Sequence, residues 1–255
     1  MRGSLLLPLP ALFGFLLVFT RVAGVIAFVP MPGIERVPSP ARVMIAMALT
    51  FALFPQWPQV AAMPDGGRLA GWLVIEAGFG LMTGLLVSFL SDSLLMMAQL
   101  VGLPAGYGYA SMIDPQTQAD SGVLLIFAQL SAGMLFFSLG LDREMVRVFA
   151  RSLETMPPGS VTLPASAAES LVRLGSGIFT VGVRLALPAA ALLMTVDLAL
   201  ALLGRIHAQL QLMVIAFPVK MLVAVAVMAW TVVLFPRLYS EYATAGLSVV
   251  RGLTR

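Results

Sequence analysis

The chain has 255 residues, 60% of them hydrophobic and 11% charged, with a net charge of +3 and a mean hydropathy of +0.98. Soluble domains carry about 25% charged residues, so this chain has too few polar groups to cover its apolar surface in water. It belongs in lipid, or inside an assembly of other apolar chains. The absence of cysteine excludes disulfides and thiolate chemistry, and no Lys/Arg cluster is dense enough for nucleic acid.

Six apolar stretches follow one another. Leu5 to Val29 is the first. It runs past Arg21 and is too long for the ~7–15-residue core of a signal peptide, so it reads as an uncleaved membrane segment. The proline-rich VPMPGIERVPSPAR (Val29 to Arg42) ends in Ser39-Pro40, a helix start before the short second stretch, Ala41 to Phe54. Phe54-Pro55 and Trp57-Pro58 stop that helix. Leu69 to Leu103 is very long, Val123 to Leu141 shorter, Leu171 to Leu203 long again, and Leu212 to Phe235 last. A span needs about 20 apolar residues, so these lengths fit upright spans poorly. If all six cross, the positive-inside rule puts both termini in the cytoplasm. No strand alternation appears, and the expected fold is all-α, membrane-associated and built of helical hairpins with kinked helices.

Between the third and fourth stretches lies PAGYGYASMIDPQTQADSG, Pro104 to Gly122. Glycines and two prolines argue against a helix, yet Tyr107, Tyr109, Met112 and Ile113 make it too apolar for a solvated loop. Irregular backbone in so apolar a chain survives only where protein or a water-filled cavity surrounds it. The segment is therefore expected to face a pore or cavity.

Beyond it, Arg143, Arg147 and Arg151 recur every four residues and form the solvated stripe of an amphipathic helix that Pro157-Pro158-Gly159 ends. The polar turn Gly204 to Gln211 joins the last two stretches into an antiparallel hairpin, with Pro188 and Pro218 expected to kink or break its arms. Arg21, Glu76, Asp92, Arg184, Asp197 and Lys220 interrupt the apolar runs. Such charges are costly in lipid, so these segments should face one another, partner subunits or water. Asp197 and Lys220 lie about ten and twelve residues from the turn near His207, at similar depth, and are expected to pair across the hairpin, with Arg205 in the turn itself. Gly80 and Gly84 form a GxxxG spacing suited to close helix packing.

Catalytic signatures are missing. There is no P-loop, HExxH or dinucleotide GxGxxG, hence no expected cofactor or metal. His207 is the single histidine, and Ser176, the one tempting nucleophile, lies more than about 40 Å from it at helical rise. No enzyme is expected. A small-solute secondary transporter using Arg184, Asp197 and Lys220 is the rival from the residues alone.

Three blocks carry a family resemblance. PMPGIERVPSPARVMIAMALTFALFP (Pro30 to Pro55), GYGYASMIDP (Gly106 to Pro115) and DLALALLGRIHAQLQLMVIAFPVKMLVA (Asp197 to Ala224) resemble the FliR family, the R-type export-gate subunits of flagellar type III secretion, and its virulence T-subunit counterparts. His207-Ala208-Gln209-Leu210 stands where that family usually has Ala-Pro-Gln-Leu. The resemblance implies a non-enzymatic subunit of the inner membrane and flagellar basal body. A single R copy would join P- and Q-type subunits, with a B-type switch protein, an A-type export subunit, and basal-body ring and rod proteins nearby. Unfolded proteins would be the cargo. It also implies P-like helices over 1–165, a Q-like hairpin over 166–240 and a tail over 241–255. Gly106, Tyr107, Gly108, Tyr109, Ala110, Ser111, Met112, Ile113, Asp114 and Pro115 would form a plug in the channel. In the assembled gate, much of the apolar chain would be held in protein and raised out of the bilayer plane.

Overall fold

The computed structural model describes residues 9–28, 39–58, 65–107, 122–160, 165–206, 212–231, 233 and 235–253. Helices account for nearly all of them: α1 Leu9–Phe28, α2 Ser39–Ala52, a 3-10 turn Phe54–Gln56, α3 Gly66–Ala105, α4 Val123–Ser138, α5 Leu141–Thr155, α6 Ala165–Ile206, α7 Leu212–Thr231 and α8 Phe235–Leu253. No strand occurs among the described residues. Pro10–Phe28, Gly66–Ala105 and Ala168–Ile206 are long and apolar enough to cross a membrane, or up to five spans if two bent helix pairs each count as one.

The prolines of the hairpin do not break it. α6 runs unbroken through Pro188, and α7 through Pro218. Each proline removes one backbone donor. In α6, buried Leu185 and Ala186 before Pro188, with Ala189 and Leu193 after it, hold the helix to the core on both sides of the lost bond. α3 likewise continues through Pro104 to Ala105, two residues into the stretch whose composition argued against a helix. The C-terminal tail contributes to a helix of its own, α8, which buries Phe235, Tyr239 and Ala243 at i, i+4 spacing.

The chain groups into two compact units that interleave along the sequence. The first draws on Met1–Ser88, Gly140–Leu174 and Ala243–Arg255. Here α1 packs on α2, and Phe15 meets both Phe51 and Trp57, ring centroids 5.4 and 5.3 Å away. The Trp57 indole N–H donates to the Thr50 carbonyl at 3.0 Å, tying the end of α2 to the 3-10 turn that Pro55 opens. α5 buries Met145, Val148, Phe149, Ser152 and Leu153, the 3.6-residue stripe of an amphipathic helix, and leaves Arg143, Arg147 and Arg151 exposed.

The second unit draws on Phe89–Leu139 and Gly175–Tyr242. Its core takes Leu94, Met97 and Val101 from α3, Ala128, Ala132 and Phe136 from α4, Leu185, Ala189 and Leu193 from α6, and Ala224 and Met228 from α7. Among them Ala128, Ala132, Ala189 and Ala224 are small enough to allow close helix approach. The Tyr239 hydroxyl donates to the Ala132 carbonyl at 3.4 Å and joins α8 to α4.

Candidate functional site

Gly108 to Pro115 lie outside the described residues; the two residues before them, Gly106 and Tyr107, and Gly122 at the far end are described. α3 ends in a left-handed Gly106, φ +89°. A Cβ there would come within 2.7 Å of the Phe217 ring, so both the backbone sign and the space demand glycine. The Tyr107 N–H closes the helix end by donating to the Gly102 carbonyl at 3.0 Å. Its hydroxyl donates to the Met221 carbonyl on α7 at 3.1 Å, and burial raises the phenol pKa, which keeps it a donor. A methyl group on Gly122 would stand 3.7 Å from Tyr107 Cβ, so the two ends of segment 108–121 meet. Tyr107 and Gly122, the residues that flank 108–121, thus stand together, and Gly106 and Tyr107 are seated on α7 at Phe217 and Met221.

One turn further along the same face of the hairpin, Lys220 Nζ forms an ion pair with the Asp197 carboxylate across α6 and α7. The Lys220 side chain is 17% exposed and that of Asp197 47%. Arg184 is exposed on α6, beside a surface groove lined by Phe179, Thr180, Val183 and Leu187. Arg205 is exposed in the last turn of α6, where its charge complements the helix dipole. The four hairpin charges therefore do not form one cluster: two pair, and two stand apart. α6 has no break between Ser176 and Ile206, and His207 lies outside the described residues.

In the first unit Gly80 and Gly84 sit where α3 crosses α1. A Cβ on Gly80 would overlap the Arg21 carbonyl, and one on Gly84 would lie 2.7 Å from the Val25 carbonyl. This close approach sets up a site that apolar spacing does not reveal. Arg21 and Glu76, both fully buried, are joined by a 2.5 Å Nε–H···Oε2 bond. Arg21 also donates to the Ser152 carbonyl at 3.2 Å, to Ser152 Oγ at 3.3 Å and to the Met156 carbonyl at 3.1 Å. Ser152 Oγ donates in turn to the Phe149 carbonyl at 2.6 Å, leaving its lone pairs to Arg21. Glu76 Oε1 accepts the Gly159 N–H at 2.9 Å, and the guanidinium lies 4.9 Å from the centroid of Phe79. Gly159 has φ +91°, which turns its amide toward the carboxylate. α1, α3, α5 and the turn after α5 meet on this one pair. The sequence carried one signal for it, a basic residue, Arg21, and an acidic one, Glu76, each interrupting an apolar stretch. Pairing them needed the crossing.

Residues 12–245 match the family model described as bacterial export proteins, family 1. The chain belongs to that family. It is similar to the flagellar biosynthetic protein FliR of Escherichia coli (strain K12), 30% identical over 210 residues, which is 82% of this chain and 80% of that protein. It is also 27% identical over 228 residues to the flagellar biosynthetic protein FliR of Pectobacterium carotovorum subsp. carotovorum, covering 88% and 87%. To that of Caulobacter vibrioides it is 24% identical over 216 residues, covering 84% and 86%. Flagellar biosynthesis and protein export are therefore the setting of this family member. Within it, two segments far apart in sequence, Gly106-Tyr107 and Phe217 to Met221, form one contact.

Proposed function

We propose that this chain is a non-enzymatic core subunit of the flagellar type III export gate, forming part of the channel for unfolded substrates, with Gly106 to Pro115 as its plug. The observation that carries the reading is the base of that segment. Gly106 and Tyr107 are seated on α7, and Gly122 returns to Tyr107. That anchoring supports the reading, and the apolar Tyr109, Met112 and Ile113 would supply a seal against hydrated ions by dewetting. One copy joins P- and Q-type subunits in the inner membrane at the flagellar basal body. The B-type switch protein, an A-type subunit, and ring and rod proteins complete the apparatus, and the chain's first and last parts play P-like and Q-like roles. The names of the relatives favour the flagellar over the virulence system. Against a solute transporter stands the ion pair of Asp197 with Lys220, which engages two of the three charges that reading needs.

Deleting Ala110 to Asp114 from the full chain in its complex is the test. Small-ion conductance of the reconstituted gate should rise while the subunits still co-purify. Conductance equal to the wild type in an intact complex rejects the plug.

A further inference from the structure

The apolar groups of α5 do not by themselves say where along its neighbours that helix belongs. Its inner face buries Met145, Val148, Phe149, Ser152 and Leu153. A shift of one turn sets Met145 where Phe149 lies, Val148 where Ser152 lies and Phe149 where Leu153 lies. Each exchange leaves an apolar side chain buried, and burial is non-directional. The same shift keeps Arg143, Arg147 and Arg151 outside, because residues four apart share a face. α5 contains no glycine that could lock it in place. The α1–α3 crossing differs. A Cβ on Gly24 would stand 2.8 Å from the Leu81 nitrogen and one on Gly84 2.7 Å from the Val25 carbonyl, so those two helices interlock. Nor does the chain before α5 resist a shift. Gly140 has open space around it, and each residue unwound from helix to extended chain gains roughly 1.8 Å.

A shift does change where α5 ends, and the Arg21–Glu76 pair touches that end. Past the last turn of a helix, carbonyl and amide groups lose their internal partners. Pro157 and Pro158 follow Met156 here, and proline has no amide with which to extend the ladder. Arg21 donates to the carbonyl of Met156, the C-cap, at 3.1 Å, and to that of Ser152 at 3.2 Å. Glu76 Oε1 accepts the Gly159 N–H at 2.9 Å. Gly159 holds φ +91°, and a Cβ on it would stand 3.3 Å from the Trp72 ring, so this turn suits glycine alone. A cation on carbonyls and an anion on an amide match the end of a helix and nothing within one. Shifted by a turn, α5 would bring the Val148 methyls to the guanidinium. Arg21 Nη1 and Nη2 would then lose those acceptors in a sealed site, which a buried charge tolerates poorly.

We propose that Arg21 and Glu76 act as a register gauge, selecting one seating of α5 among those its apolar face allows. The pair contributes uniqueness more than stability, the role best attested for polar groups buried between apolar helices. Its partners all lie in the first compact unit, so the inference does not depend on the channel reading.

The full chain in detergent carries the test. It has no native cysteine, so spin labels can be placed in pairs: Val74→Cys with Val146→Cys across α3 and α5, and Leu12→Cys with Val74→Cys across α1 and α3. Those positions are exposed, and pulsed electron resonance reads the distances. With Arg21 and Glu76 in place, each pair of labels should give one distance. In Arg21→Leu/Glu76→Leu the Val74–Val146 distance should split into two populations up to about 5 Å apart, one helical turn. Leu12–Val74 should keep its single distance, and the thermal midpoint should lie above that of either single leucine variant. Arg21→Met/Glu76→Gln, closer in shape, should split the same distance and stands in if the leucine variant does not fold. A single Val74–Val146 distance in a folded double variant overturns the proposal. So does a moved Leu12–Val74 distance, which would make the pair a clamp on α1 and α3. Loss of the fold in both double variants overturns it too, since the pair would then supply stability rather than choice.

Discussion

The ion pairs Arg21–Glu76 and Lys220–Asp197 each join two helices, one in each compact unit, and they are built differently. Arg21–Glu76 is sealed on all sides, and each charged group has further partners: two carbonyls, a hydroxyl and a ring for the guanidinium, an amide for the carboxylate. Lys220–Asp197 is a single contact with the carboxylate half open. A buried pair offsets its desolvation only when hydrogen bonds satisfy the remaining donors and acceptors, whereas an open pair has little desolvation to offset. The first is therefore a structural knot that fixes three helices. The second holds a hairpin together locally and leaves one side for its surroundings.

Single substitutions should separate the two. Arg21→Ala or Glu76→Ala leaves an uncompensated buried charge and should cost about 3–5 kcal/mol, read as a large drop in thermal midpoint in detergent. The double change to leucine should recover much of that loss; a double variant as unstable as the worse single one would show that packing, not charge, dominates. Gly80→Val, which drives a side chain into the α1 backbone, should cost about 1–3 kcal/mol by overpacking. A neutral result there means that the crossing can open without loss. Tyr107→Phe removes one hydrogen bond at the segment's base and should cost about 0.5–1.5 kcal/mol. Proteolysis within 108–121 should quicken more than global unfolding, and equal acceleration of both would place the bond outside any local role. The smallest effect belongs to Lys220→Ala, about 0.2–1 kcal/mol, falling with added salt. A drop as large as that for Glu76→Ala would erase the contrast between the pairs.

Much of the helical layout was legible in the residues. The Arg143, Arg147, Arg151 stripe names the exposed side of α5 because helical periodicity alone decides which side chains share a face. The depth of Asp197 and Lys220 on either side of one turn is likewise local arithmetic, since a short connection forces its arms to be neighbours. Pro188 does not end its helix, because its local preference is outweighed by core residues on both sides that no local rule counts.

The composition and spacing settled that this is an apolar chain with an all-helical fold, since hydrophobicity and proline act over a few residues. Which distant charges meet was decided by the tertiary structure alone. Arg21 finds Glu76, Ser152 and Met156 only where the glycines of α3 admit the α1 backbone, and Tyr107 finds Met221 only once α7 lies beside the end of α3. Contacts between residues far apart in the chain depend on how helices cross, and the crossing is set by the fit of whole surfaces.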